Sequence, residues 1–102
     1  MTAVPPEAAV LLACLLFTLG LAGVLARRNL VFILMALEIM LNAAGLVFVA
    51  AGARWGQADG QVLFIVVLTL AAAEVAVGLA LVLRIHRQAA TLDADAASRL
   101  RG

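Results

Sequence analysis

Apolar residues run along the chain in three long blocks bounded by charges. Nineteen uncharged residues separate Glu7 from Arg27; 25 positions separate Arg28 from Arg54, with Glu38 the one charge among them; and 24 separate Asp59 from Arg84, with Glu74 the one charge. A helix needs about 20 apolar residues to cross a hydrocarbon core of about 30 Å. In lipid, a helix satisfies every backbone N–H and C=O within its own segment. The pattern therefore predicts an all-α integral membrane protein, a single unit over 1–102 with spans at about 8–26, 30–51 and 62–83 and a polar tail over 84–102.

Composition strengthens that reading. Of 102 residues 67% are hydrophobic and 13% charged, where soluble domains carry about 45–50% and about 25%. The three blocks hold 68 residues and leave 34 in four pieces, too few for any domain outside the membrane. One cysteine, Cys14 in the first span, cannot supply a disulfide framework, a zinc site or an iron–sulfur cluster, and reads as a small buried apolar residue. No glycine-rich phosphate loop and no metal-ligand spacing occurs, so neither a metal nor a nucleotide or nucleic-acid partner is expected.

The leader Met1 to Glu7 lacks the basic residues of a signal peptide, so the first span reads as a retained helix. Arg27, Arg28, Arg84, Arg87, Arg99 and Arg101 fall on one side of the membrane and Arg54 alone on the other. The positive-inside rule then places the N-terminus and the Arg54–Asp59 loop outside, in the periplasm, and the first turn and C-terminal tail in the cytoplasm. Pro5 and Pro6 stand where a helix start tolerates proline. Gly20 and Gly23 are three apart, which argues against a Gly-x-x-x-Gly dimer and for close packing on another helix. Residues Gly52 to Gly60 read as a longer loop with Trp55 anchored at the interface, His86 as a headgroup-facing residue, and Gln88 to Gly102 as a polar surface segment or a weak helix.

Glu38 and Glu74 are the informative residues. An ionisable group at a helix centre costs about 2.5–3.5 kcal/mol on insertion scales, while each large apolar residue returns about 0.3–0.6; both spans survive, at a cost. Glu38 stands nine residues from Asn29 and Glu74 ten from Arg84, about 14 and 15 Å along the helix axes from the same side. The two carboxyl groups are thus level near mid-membrane. Helix rotation stays open, so they face each other or different partners. Asn42 lies one turn from Glu38 as possible support, with Gly45 beyond it, and Ala71 to Ala73 and Gly78 flank Glu74; such small neighbours leave room for water or another helix. A carboxyl group out of water favours its neutral form, a second carboxylate nearby reinforces this, and such a pair titrates as a unit. That chemistry suits a proton relay; a protonated acid bonding a neighbouring helix is the purely structural alternative. Three helices cannot enclose a transport path, so the chain is expected to be a subunit.

Arg27-Arg28-Asn29-Leu30, Leu37-Glu38-Ile39-Met40-Leu41-Asn42, Trp55-Gly56-Gln57 with Asp59-Gly60-Gln61, and Ala71 through Leu81 around Glu74 resemble the NuoK-type (mitochondrial four-L-type) membrane subunit of respiratory complex I, the proton-pumping NADH:quinone oxidoreductase. The resemblance covers nearly the whole chain. It implies a multi-pass, non-redox subunit in the bacterial inner membrane, set among other membrane-arm subunits in a hetero-oligomer. It also implies that Glu38 and Glu74 belong to the intramembrane proton path, and that Arg27 and Arg28 on the cytoplasmic loop support energy coupling, although a topological role alone remains open for the arginines. FMN, iron–sulfur clusters and quinone chemistry are implied to lie in other subunits, with no cofactor and no catalysis in this chain alone. The small subunit of multi-subunit sodium/proton antiporters resembles the same family and is the main alternative; the turn and loop sequences favour the complex I form.

Overall fold

The computed structural model describes residues 4–90 and 92–95. It holds three helices: α1 (Pro6–Ala26), α2 (Leu30–Trp55) and α3 (Asp59–Ala89), with no strand among the described residues. All three are long and apolar enough to cross a membrane, as the sequence pattern predicts.

Local chemistry sets the ends. Pro5 and Pro6 open α1 and Glu7 sits in its first turn, where a missing N–H costs nothing and negative charge suits the exposed amides. Asn29 caps α2, its Oδ1 accepting from the Phe32 N–H at 3.1 Å. Asn29→Ala is expected to cost about 1 kcal/mol, read as a lower unfolding temperature in detergent; no change would mean that α2 starts without its cap. Gly56 ends α2 in the left-handed conformation at φ 64, with its N–H on Ala53 O (3.3 Å) and that of Gln57 on Gly52 O (2.9 Å). These two bonds form a Schellman stop.

Two expected boundaries shift. The loop read over Gly52–Gly60 shrinks to Gly56–Ala58, because α2 runs on through Trp55 and α3 starts at Asp59. The third helix also outlasts its span: lipid limits the apolar stretch, but the helix continues through Arg84, His86 and Arg87 until Ala90 adopts φ 55 and donates its N–H to His86 O at 2.7 Å. Gln88 and Ala89 therefore complete a helix instead of opening a tail.

The helices pack through small residues, which lipid favours because it gives no hydrophobic force between helices. The buried apolar side chains among the described residues are Ala13, Ala36, Ala43, Ala50, Ala71 and Val82. The second helix packs against both of the others. Toward α1, a Cβ at Gly20 would fall 2.6 Å from Met40 Cγ and 2.8 Å from Ala36 O, so the Gly20–Gly23 region serves close packing within the chain, as expected from its spacing. Toward α3, the space above Gly45 holds the Phe64 ring and that above Gly78 holds Leu34. Large side chains such as Leu15, Ile65 and Leu83 remain more than half exposed, as lipid or neighbouring subunits require. Thr18 and Thr69 bond the carbonyls of Cys14 (2.8 Å) and Ile65 (2.9 Å) one turn back, which satisfies their hydroxyls without a partner helix.

Candidate functional site

The packing of α2 on α3 fixes the register of the two glutamates. Leu34 seats on Gly78; one turn further into the membrane on each antiparallel helix stand Glu38 and Glu74. They are level, as the distances from the span ends require.

The same contacts settle helix rotation. At about 100° per residue, Glu38 lies about 20–40° to one side of Leu34, Gly45 and Gly52, the positions that face α3. Glu74 lies about 40–80° behind Gly60, Gly78 and Phe64, the positions that face α2. Because the helices run in opposite directions, these offsets of opposite sign carry the two carboxyl groups to opposite edges of the α2–α3 pair. Glu38, nearer the seam, is half-buried; Glu74, further round, is exposed. The chain alone therefore does not bury Glu74. Among the described residues neither glutamate makes a hydrogen bond or an ion pair, so neither glues helices together within this chain.

Of the two occupants that the small residues leave room for, water or another helix, the structure places another helix at Gly45 and Gly78. Gly45, Ala71 and Gly78 do not open space for water: Phe64 and Leu34 fill the first and last, and Ala71 is buried. Asn42 is exposed on the same flank of α2 as Glu38, clear of the packed seam. Cys14 is exposed on α1, not buried as its apolar character suggested, because α1 turns only a narrow stripe around Ala13 toward α2.

Arg27 and Arg28 fall at the end of the bundle that also holds Arg84, His86 and Arg87. The two arginines have different partners. The Arg27 guanidinium lies over the Phe32 ring, 4.9 Å from its centroid, whereas Arg28 pairs with Asp95 at 3.0 Å. Residues after α3 fold back across the turn: Leu30 N–H donates to Leu92 O (2.8 Å), Ala94 N–H to Arg28 O (2.7 Å), and Asn29 and Asp93 form an isolated antiparallel bridge. The ion pair is open to solvent, about three-quarters exposed on the Arg28 side, so it contributes at most about 1 kcal/mol; the backbone bonds hold the strap. Nothing in the sequence pattern announces this contact between residues so far apart, although an asparagine just ahead of an apolar run is a recognisable cap. Arg99 and Arg101 lie outside the described residues. At the opposite end, Arg54 sits 3.8 Å from Glu7 and 5.8 Å from the centroid of Trp55, tying the start of α1 to the end of α2.

Among the described residues no three His, Cys, Asp or Glu side chains come together as a metal-ligating group. What the site offers is two carboxyl groups at one depth, on neighbouring rigid helices, opening to opposite sides.

The family model for chain 4L of NADH-ubiquinone/plastoquinone oxidoreductase matches residues 8–102. Full-length relatives carry the description NADH-quinone oxidoreductase subunit K: those of Acidiphilium cryptum, Nitrosospira multiformis and Pseudomonas aeruginosa are 65%, 64% and 59% identical over 102 residues, covering all of both chains. The chain belongs to this family, the 4L/K membrane subunit of NADH-quinone oxidoreductase.

Proposed function

We propose that Glu38 and Glu74 are successive stations of a proton path that enters this subunit from a neighbour on one edge of the α2–α3 pair and leaves to a neighbour on the other. The observation that carries this reading is their placement: level on packed antiparallel helices, yet turned to opposite edges. Phe64 and Leu34 pack the seam between these helices, so the waters that link the two carboxyl groups run around the pair, along faces that neighbouring subunits cover, as a chain longer than the axis spacing of about 8–10 Å. One carboxylic acid gives its proton to that chain and the other carboxylate takes one from it, leaving each ready for exchange with the next group outward. Neighbouring subunits of the membrane arm complete the burial that the chain lacks around Glu74. The arginine-rich end lies in the cytoplasm and the N-terminus in the periplasm, by the charge asymmetry of the turns. NADH, flavin, iron–sulfur and quinone chemistry belongs to partner subunits, and this chain is the non-redox part of the enzyme. The full-length relatives favour this assignment over an antiporter subunit.

The test is the double variant Glu38→Gln/Glu74→Gln in inverted membrane vesicles. Purified enzyme should retain flavin and iron–sulfur absorbance and oxidise NADH with an artificial acceptor at the normal rate, while NADH-driven acidification of the vesicles is lost. Undiminished acidification would end the relay reading; purification of the wild-type protein without flavin or iron–sulfur absorbance would instead point to the antiporter class.

A further inference from the structure

A groove of about 440 Å³ runs along the outer surface between α1 and α2 at their arginine-bearing end. Gly20, Gly23 and Ala36 form its bed, Leu19 and Met35 flank it, and Arg27 at its mouth is the one charged residue in its lining. We propose that this groove binds one acyl chain of an anionic phospholipid, with Arg27 holding the phosphate.

Three observations select this occupant. The first is depth: from Arg27 to Leu19 the groove follows α1 for about 12 Å, close to the thickness of one leaflet when the whole hydrocarbon core is about 30 Å. Its innermost lining residues are Leu19, Gly20 and Ile39. An acyl chain, which ends at mid-membrane, matches that reach. The second is the lining, apolar for the whole depth up to the headgroup level. The third is charge. Arg28 is engaged by Asp95, but Arg27 has no ion-pair partner among the described residues, and stacking on Phe32 keeps its guanidinium over the mouth. An arginine fork matches phosphate oxygens in pairs. This inference does not depend on the proton path and would survive its failure.

The experiment uses the purified oxidoreductase in phosphatidylcholine nanodiscs doped with phosphatidylglycerol carrying a photoreactive group in mid-chain. After illumination and digestion, labelled peptides are mapped on this subunit. Label is expected on Leu19, Met35 or Ile39. A matching phosphatidylcholine probe should label these about fivefold less, the factor that one basic residue's attraction for an anionic headgroup supplies. Arg27→Gln should lower phosphatidylglycerol labelling by the same factor, Arg27→Lys should restore most of it, and Ala22→Leu should displace the probe by filling the groove. Equal labelling by the two probes would overturn the proposal, as would indifference to Arg27→Gln in an enzyme of normal flavin content. Complete absence of label in the wild-type groove would do so too, because a neighbouring subunit then covers it.

Discussion

Glu38→Gln and Glu74→Gln, made singly, are each expected to reduce NADH-driven proton pumping about a hundredfold, the low end of what a positioned proton-transfer group contributes, and the double variant is expected to be no worse than the weaker single. The reason is geometric. Each carboxyl group opens to a different edge of the α2–α3 pair, so neither can stand in for the other, and a proton crossing the subunit must use both in series. Groups that act as one unit give strongly non-additive losses. Parallel routes would behave otherwise, with mild single variants and a severe double. Glutamine keeps the volume and the hydrogen-bonding capacity of the side chain, so assembly stays intact; neither glutamate has a partner among the described residues that the change would orphan. Pumping is read as the initial rate of vesicle acidification divided by NADH oxidation with an artificial acceptor. Mild losses in the two single variants with a severe loss in the double would show that the carboxyl groups serve separate routes.

Much of this arrangement is legible in the chain because lipid imposes a coarse rule. Blocks of apolar residues long enough to span must be helices, and a glutamate within one is conspicuous because an ionisable side chain there is expensive. Depth follows by counting residues from the arginines, which is why Glu38 and Glu74 emerge level from sequence alone. Rotation does not follow. All three helices are apolar nearly all round, so no apolar stripe tells which face meets a neighbour. That information sits in the seats of Gly45 and Gly78, which take the ring of Phe64 and the side chain of Leu34. Read as sequence, a glycine near a glutamate leaves room for water or another helix; the fold decides for the helix, which comes closest there. The strap from Leu92 to Asp95 was equally hidden, since backbone bonds to Arg28 and Leu30 leave no signature in side-chain type. The α2–α3 turn looks longer in the sequence than it is, because Arg54, Trp55 and Asp59 are polar or amphipathic, yet α2 keeps its backbone bonds past the apolar stretch until Gly56 stops it.

Gly60→Ala should be the most damaging single-methyl change in the chain, lowering the level of assembled oxidoreductase in the membrane severalfold, with a loss in α2–α3 stability at the upper end of the overpacking range, about 3 kcal/mol. The added Cβ would overlap the carbonyl oxygen of Phe48 and stand 3.0 Å from Gly52 Cα and N. These are backbone atoms of α2, which cannot rotate away; the two helices would have to part. Gly45→Ala gives the useful contrast, since its Cβ would meet Phe64 Cδ2 at 2.7 Å, a side chain that a second substitution can shorten. Gly45→Ala with Phe64→Leu is therefore expected to recover most of the assembled complex, while Gly60→Ala with Phe48→Ala recovers none, because the obstructing oxygen is still there. Gly56→Ala falls in a third class: nothing lies within 4 Å of its Cβ, but φ 64 costs a side chain about 1–2 kcal/mol. Native-gel quantification of the complex in membranes from the variants ranks the three. Rescue of Gly60→Ala by Phe48→Ala would show that the α2–α3 crossing is held by side chains and not by the direct approach of the two backbones.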